Sequence, residues 1–444
     1  MKPLTKGTPI KVILFFAIPL YIGQLFQLCY SLIDTHIIGS ALGEASLAAV
    51  GATTSLSDML IEFLNGIICG FGIIISTCFG ANEEKKMRKA IGGTLFLSIA
   101  LTLLISVLCH VFLPQILGAL HVSDELMAEA SAYIKIIIAG LIATTLYNIC
   151  AAILRAIGDS FTPLLFLIIS NVLNIFLDYF FVLNLGKGVV GAAVATLISQ
   201  ALSALLCFLY MRKKYPQIVL HKEEAAPDKE VYGQLLPTGL SMGFMISFVT
   251  LGSLALQTGI NTLGTNIIVA HTGARKATTI FLIPFFVLGT ALATYCGQNL
   301  GAKEYARIKK GIKDTVLLSF GWCVIVLAVV FTLSESIIHL ITASAEPEVL
   351  DNASLYLKVN ASFYFLPALI CILRNSMQGF GDSRTPLISS LIELVGKVVI
   401  ALFLVPSIGY MGVIVSEPIV WAFMVIPLLI SILRNPIFKR NISC

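Results

Sequence analysis

Twelve stretches of about 20 or more predominantly apolar residues, parted by short polar breaks, constrain this chain first, because a helix needs about 20 such residues to cross a hydrocarbon core. They fall near 10–37, 47–79, 89–115, 126–155, 162–185 and 189–213, then 232–258, 266–297, 307–341, 348–377, 385–406 and 411–434. Lipid offers no partner to an open backbone group, so only helices or closed barrels span it, and runs this long lack the alternation of barrel strands. The expectation is an all-α polytopic membrane protein with twelve transmembrane helices. Charged residues make up 12% of the chain, about half the share of a soluble domain.

The breaks carry topology. Alternate ones are basic: the N-terminus (Lys2, Lys6, Lys11), 83–89, Arg155, 212–229, 303–313, and Arg434 to Arg440. The others hold a single basic residue, Lys187. Basic loops stay on the cytoplasmic side, which places both termini there. The formal charge of +5 is scattered through these loops, so it reports orientation and not a nucleic-acid partner. The ten cysteines occur singly, without a C-x-x-C pair or a Cys/His cluster, and read as small packing residues. No small-residue cleavage site follows Met1-Lys-Pro-Leu-Thr-Lys-Gly, so the first helix is expected to remain in the mature protein.

The spans divide six and six. Residues 1–213 form an N-terminal lobe, 214–231 a polar cytoplasmic connector, and 232–444 a C-terminal lobe. The halves repeat at an offset of about 221 residues. Arg155-Ala-Ile-Gly-Asp-Ser-Phe-Thr-Pro163 matches Gln378-Gly-Phe-Gly-Asp-Ser-Arg-Thr-Pro386, and Phe79-Gly-Ala-Asn-Glu-Glu matches Leu300-Gly-Ala-Lys-Glu-Tyr. Even-numbered repeats start on the same side and are related by an axis along the membrane normal, with a central cavity as the expected consequence. The Gly-Asp-Ser-x-Thr-Pro loops suit a tight turn opening a helix, a structural task.

Within the fifth span, Asn171, Asn174 and Asp178 share one helical face, and the carboxylate lies where lipid penalises charge by roughly 2.5–3.5 kcal/mol. Polar stripes recur on helix one (Gln24, Gln27, Ser31 and Asp34, with Tyr30), helix four (Thr144, Asn148) and helix six (Thr196, Gln200, Ser203). Such stripes build either a hydrated cavity or interhelical hydrogen bonds, and two intramembrane carboxylates favour the cavity. Two carboxylates with an amide and a hydroxyl suit a hard monovalent cation, or protons. The second half differs. Aligning the Gly-Asp-Ser loops puts Lys397 opposite Asn174 and Ala401 opposite Asp178, while Glu417 lies opposite Thr196. Glu393 and Lys397, one turn apart, can pair, either as a neutralising structural pair or as a charge group facing substrate. Asp58 and Glu62 on helix two face either a cavity or the lobe interior. No Walker loop, nucleophile elbow or metal motif is present.

These features together resemble the multidrug and toxic compound extrusion (MATE) transporters, most of all the DinF-type and archaeal branches. The resemblance rests on the two six-helix lobes, the paired Gly-Asp-Ser-x-Thr-Pro loops, Ile33-Asp-Thr-His-Ile-Ile-Gly39, Gly191-Ala-Ala-Val-Ala-Thr196 and Gly297-Gln-Asn-Leu-Gly301. It implies a MATE-type fold and cation-driven export. It also implies a cation or proton coupling site at Asp34, Asn174, Asp178 and Thr196. Gln27, Tyr30 and Asn148 match positions around substrate, Arg275 matches a functional arginine, and Gln200 is counted with the same cavity. Pro19 matches a proline at which helix one bends. Another branch carries a required acid in helix seven, and residues 238–258 contain none.

The expected function is secondary active antiport: export of amphipathic, often cationic organic molecules in exchange for Na⁺ or H⁺, without a resident cofactor or a metal beyond Na⁺. The protein is expected to be a monomer in the cell membrane, in contact with lipid and small organic substrates. The alternative is a flippase for lipid-linked oligosaccharide or lipid, whose cavity would be dominated by cations; Arg275, Arg374 and Lys397 are the residues in its favour. A membrane-embedded enzyme would require a convergent catalytic set, which the sequence does not assemble.

Overall fold

The computed structural model describes residues 3–120, 122–219 and 228–439, so part of the connector, 220–227, lies outside the described residues. The described elements are helical: α1 (Pro9–Gly43), α2 (Ser46–Gly80), α3 (Glu84–Val111), α4 (Asp124–Ala156), α5 (Phe161–Asp178), α6 (Gly188–Lys214), α7 (Lys229–Ile260), α8 (Thr265–Gly301), α9 (Tyr305–Thr342), α10 (Pro347–Ala361), α11 (Phe365–Gly379), α12 (Arg384–Val399) and α13 (Tyr410–Arg434). Among the described residues eleven spans are long and apolar enough to cross a membrane, or twelve when α10 and α11, bent by 54°, count as one. That break has a local cause: Pro367, in the first turn of α11, has no N–H, and its ring would collide with the carbonyl of Phe363 in a continuous helix. Between α1 and α2 the expected polar break is a single kink at Gly43 (φ 85°, ψ 179°), a left-handed conformation that glycine adopts without strain. Helical dihedrals continue through Pro19, so the sharp break in this stretch lies at Gly43.

The chain forms two compact units, and neither is one sequence half alone. Unit one is Ile18–Gly243; unit two combines Leu4–Ala17 with the chain from Phe244 onward. Each unit thus contains the start of the helix that opens the other half.

In unit one the early part of α7 lies against α2. A β-carbon on Gly70 would sit 2.7 Å from Gly239 Cα, and one on Gly243 would sit 2.6 Å from Ile67. Gly239-x-x-x-Gly243 is the small-residue pattern that lets two membrane helices approach closely. Val231 and Leu235 are buried in the same core as Ile67, Phe71, Met87 and Cys207. At the loop end, Lys89 binds Asp228 (2.7 Å) and Lys86 binds Glu230 (2.8 Å). Asp228 also accepts from the Glu230 and Val231 N–H groups (3.0 and 3.2 Å), capping α7.

Unit two holds its incoming segment in a polar socket. Gln298 accepts from the Leu4 N–H at 2.7 Å, while the Arg307 guanidinium donates to the carbonyls of Gly7 (2.7 Å) and Leu4 (3.2 Å) and to Asn299 Oδ1 (2.9 Å). Gln298 and Asn299 are fully buried. The Gly297-Gln-Asn-Leu-Gly301 motif therefore has a structural task. α8 is the central helix here, with 67% of its apolar window buried, and α9 the outer one, with 17%. Outer faces such as Leu317, Val324 and Phe331 are exposed and apolar, as lipid requires.

The repeated loops do the same work in both units. Gly158 and Gly381 take positive φ (88° and 95°). Asp159 accepts from the Thr162 N–H (3.0 Å) and hydroxyl (2.7 Å), and Asp382 accepts from those of Thr385 (3.1 and 2.6 Å). One helix is closed by the glycine and the next is capped by the aspartate. Both following helices end in a π turn, Tyr179–Asn184 after α5 and Ile400–Leu404 after α12.

Candidate functional site

Asp178 is the last α-helical residue before its π turn, a rare conformation that frequently accompanies function. It is fully buried, and its Oδ1 has no hydrogen-bond partner among the described residues. Oδ2 accepts from the amide nitrogen of Asn174 at 3.1 Å, in the orientation in which that amide also donates to the Tyr30 hydroxyl and accepts from the Thr196 N–H at 3.0 Å. The Thr196 hydroxyl lies 3.4 Å from the same amide. The Asp34 carboxyl faces that of Asp178. Helices α1, α5 and α6 thus bring together all four residues singled out for coupling, with Tyr30 added.

Two facing carboxylates at this depth need a cation or a proton between them. The oxygens of Asp34, Asp178, Thr196 and Tyr30 are the hard donors a small monovalent cation takes. Tyr133 of α4 also lies within electrostatic reach of both carboxylates. Sequence reasoning missed it, although Tyr133, Thr144 and Asn148 fall on one helical face. Gln27 is exposed and Asn148 partly buried; the Oε1 of Gln200 and the Nδ2 of Asn171 are buried without partners among the described residues. Asp58 and Glu62 are exposed on α2.

Unit two fills the corresponding place differently. Lys397 bonds Ser253 (3.3 Å), Glu393 (3.0 Å) and Glu417 (3.3 Å). Ser253 stands 223 residues after Tyr30, as Lys397 does after Asn174, and Glu417 stands 221 after Thr196. Two of the helix positions that surround Asn174 in unit one, those of Tyr30 and Thr196, therefore surround an ammonium in unit two, with Glu393 as its third partner. Glu393 also binds Arg374 (3.4 Å), and Glu417 binds Arg275 (3.2 Å). Arg275 accordingly belongs to this charge chain. Arg374 stood out in the sequence only as a positive charge; its place in the chain depends on the packing of α11 against α12.

Repeated six-span halves, one of them holding a carboxylate pair within its spans, are the architecture of a helical membrane transport protein. The chain belongs to the MatE family, the MATE transporters, whose model matches residues 19–180 and 241–403. It is 27% identical over 417 residues to the probable multidrug resistance protein YoeA of Bacillus subtilis, covering 92% of this chain and 90% of that one. It is 26% identical over 423 residues to the multidrug export protein MepA of Staphylococcus aureus, covering 93% and 90%. Among solved structures, a MATE protein in the bent conformation superposes with a TM-score of 0.90 at 24% identity, covering 97% and 96%. An outward-facing multidrug resistance MATE transporter also superposes with a TM-score of 0.90 at 24% identity, covering 99% and 98%.

Proposed function

We propose that this MatE-family chain is a secondary active exporter that moves amphipathic, often cationic organic molecules outward in exchange for Na⁺ or H⁺. The observation that carries the coupling assignment is the buried Asp178 carboxyl, one of whose oxygens meets no donor among the described residues, facing the carboxyl of Asp34. An ion or proton bound there, with Asn174 holding Asp178 and Thr196 and Tyr30 supplying neutral oxygens, removes the repulsion between the carboxylates. The bound and free states of the site then differ in their preferred packing, which lets a gradient bias transport. Each charge moved is worth about 2.3 kcal/mol per 100 mV, enough to drive export. On the same reading both termini are cytoplasmic, the host is the cell membrane, and a single chain is the working unit.

The test uses proteoliposomes with imposed Na⁺ and pH gradients, applied separately, and ethidium as the exported probe. Asp34→Asn and Asp178→Asn should each abolish gradient-driven efflux while the protein remains folded in the membrane. Undiminished efflux in both variants would remove the coupling assignment. Movement of labelled lipid with no movement of dye would favour a flippase instead.

A further inference from the structure

We propose that a cavity in unit two is an oxyanion site, built to receive the carboxylate or phosphate group of a small organic molecule. The cavity has a volume of about 260 Å³ and is walled by α7, α8 and α13, with Arg275, Lys276, Ser253 and Glu417 among its lining residues. That is just below the range of roughly 300–1,000 Å³ of small-molecule pockets, enough for an acidic group and part of its carrier.

The charges around it do not cancel. The chain runs Arg374, Glu393, Lys397, Glu417, Arg275, so three cations are joined by two carboxylates and both ends are cationic. The Arg374 end is closed: its side chain is 8% exposed, and its Nε donates to Ser389 at 3.3 Å. The Arg275 end is open, with the side chain 36% exposed in the cavity wall. Lys276 adds a second cation, an ammonium, to that wall. Glu417 is the sole carboxylate lining the cavity, and one of its oxygens, Oε1, is already shared by Lys397 and Arg275.

A surplus positive charge within a membrane span is unfavourable unless a counter-charge meets it. The planar guanidinium, held by Glu417 on one side, has further N–H donors in the fork geometry that matches carboxylate and phosphate oxygens. The inference deepens the export reading by naming an acidic group on the transported molecule, and for that assignment alone it rests on it. A phospholipid phosphate offers the same chemistry from a second source.

The experiment is an anisotropy titration of the full chain in phosphatidylcholine nanodiscs with rhodamine B, which bears a free carboxylate, and with its ethyl ester, which does not. The wild-type protein should bind the acid about tenfold or more tightly than the ester, the scale of one charge-assisted hydrogen bond. Arg275→Gln should erase that preference while leaving ester binding within about twofold; Lys276→Gln, on the exposed wall, should reduce it in part and serves if Arg275→Gln does not fold. Loss of the preference in phosphatidylglycerol nanodiscs alone would also support the oxyanion site and name lipid phosphate as its occupant. Equal binding of acid and ester by the wild type, or an equal loss of both in Arg275→Gln, would overturn the proposal. Binding requires no gradient, so a protein that discriminates acid from ester yet exports neither dye contradicts the export reading and not this site.

Discussion

Asn174 touches more of the coupling cluster than any other residue in it, yet it carries no charge. Its amide fixes Asp178 and meets Tyr30 and Thr196, so its effect is exerted through the carboxylate. Removing such an orienting group typically weakens ion binding by about 10–100-fold. Asn174→Ala should therefore raise the Na⁺ or H⁺ concentration for half-maximal efflux by that factor, while the rate at saturating ion falls much less; an unchanged ion dependence would refute the orienting role. Asp34, Asn174 and Asp178 stood out in the sequence because charged and amide side chains in apolar spans are costly and each lies on a polar stripe of its own helix. Tyr133 was not, since a lone tyrosine in a membrane helix usually marks an interface or a core.

Between helices, the two units differ most in how they satisfy one shared position. Unit one places the neutral Asn174 amide there; unit two places the Lys397 ammonium. Lys397→Met leaves Glu393 and Glu417 with one arginine partner each and should lower thermal stability in detergent. The double variant Lys397→Met with Glu417→Gln should lose more, because it also leaves Arg275 without its carboxylate. At the α2–α7 crossing, Gly239→Leu has no room beside Phe71, whose ring would lie 2.3 Å from a β-carbon there. It should lower the unfolding temperature, overpacking costing about 1–3 kcal/mol, whereas Gly233→Ala, in open space, should not. The period of the apolar residues foretold nearly every span. It could not foretell the α10–α11 bend, which follows from one proline within a run of unbroken hydropathy, nor the merging of α1 with α2 at Gly43.

Over the whole molecule, the sequence repeat was plain, but the exchange of opening segments was not, because a repeat identifies equivalent residues and not their packing partners. The exchange is held by different chemistry in each unit. At the start of α7, the Lys89 ammonium and two backbone N–H groups keep the Asp228 carboxyl below the usual carboxylate range. A lowered native value means that this contact contributes fully above about pH 4 and is lost as the pH falls below that. Protection of the first turn of α7 against hydrogen exchange, taken relative to the free-chain rate at each pH, should therefore fall below about pH 4, and Asp228→Asn should show the lower protection already at neutral pH. The two halves, expressed as separate chains cut within the connector, should reassemble and copurify, since each carries a segment that packs in the other's unit.

The polar socket of Gln298, Asn299 and Arg307 also sets a timetable. Leu4–Ala17 leaves the ribosome some 290 residues ahead of Arg307, which at about 5–20 residues per second is a wait of roughly 15–60 s. The oldest part of the nascent chain is thus among the last to find its place, and a helix already laid into the membrane must keep its leading end unengaged until the ninth span is made.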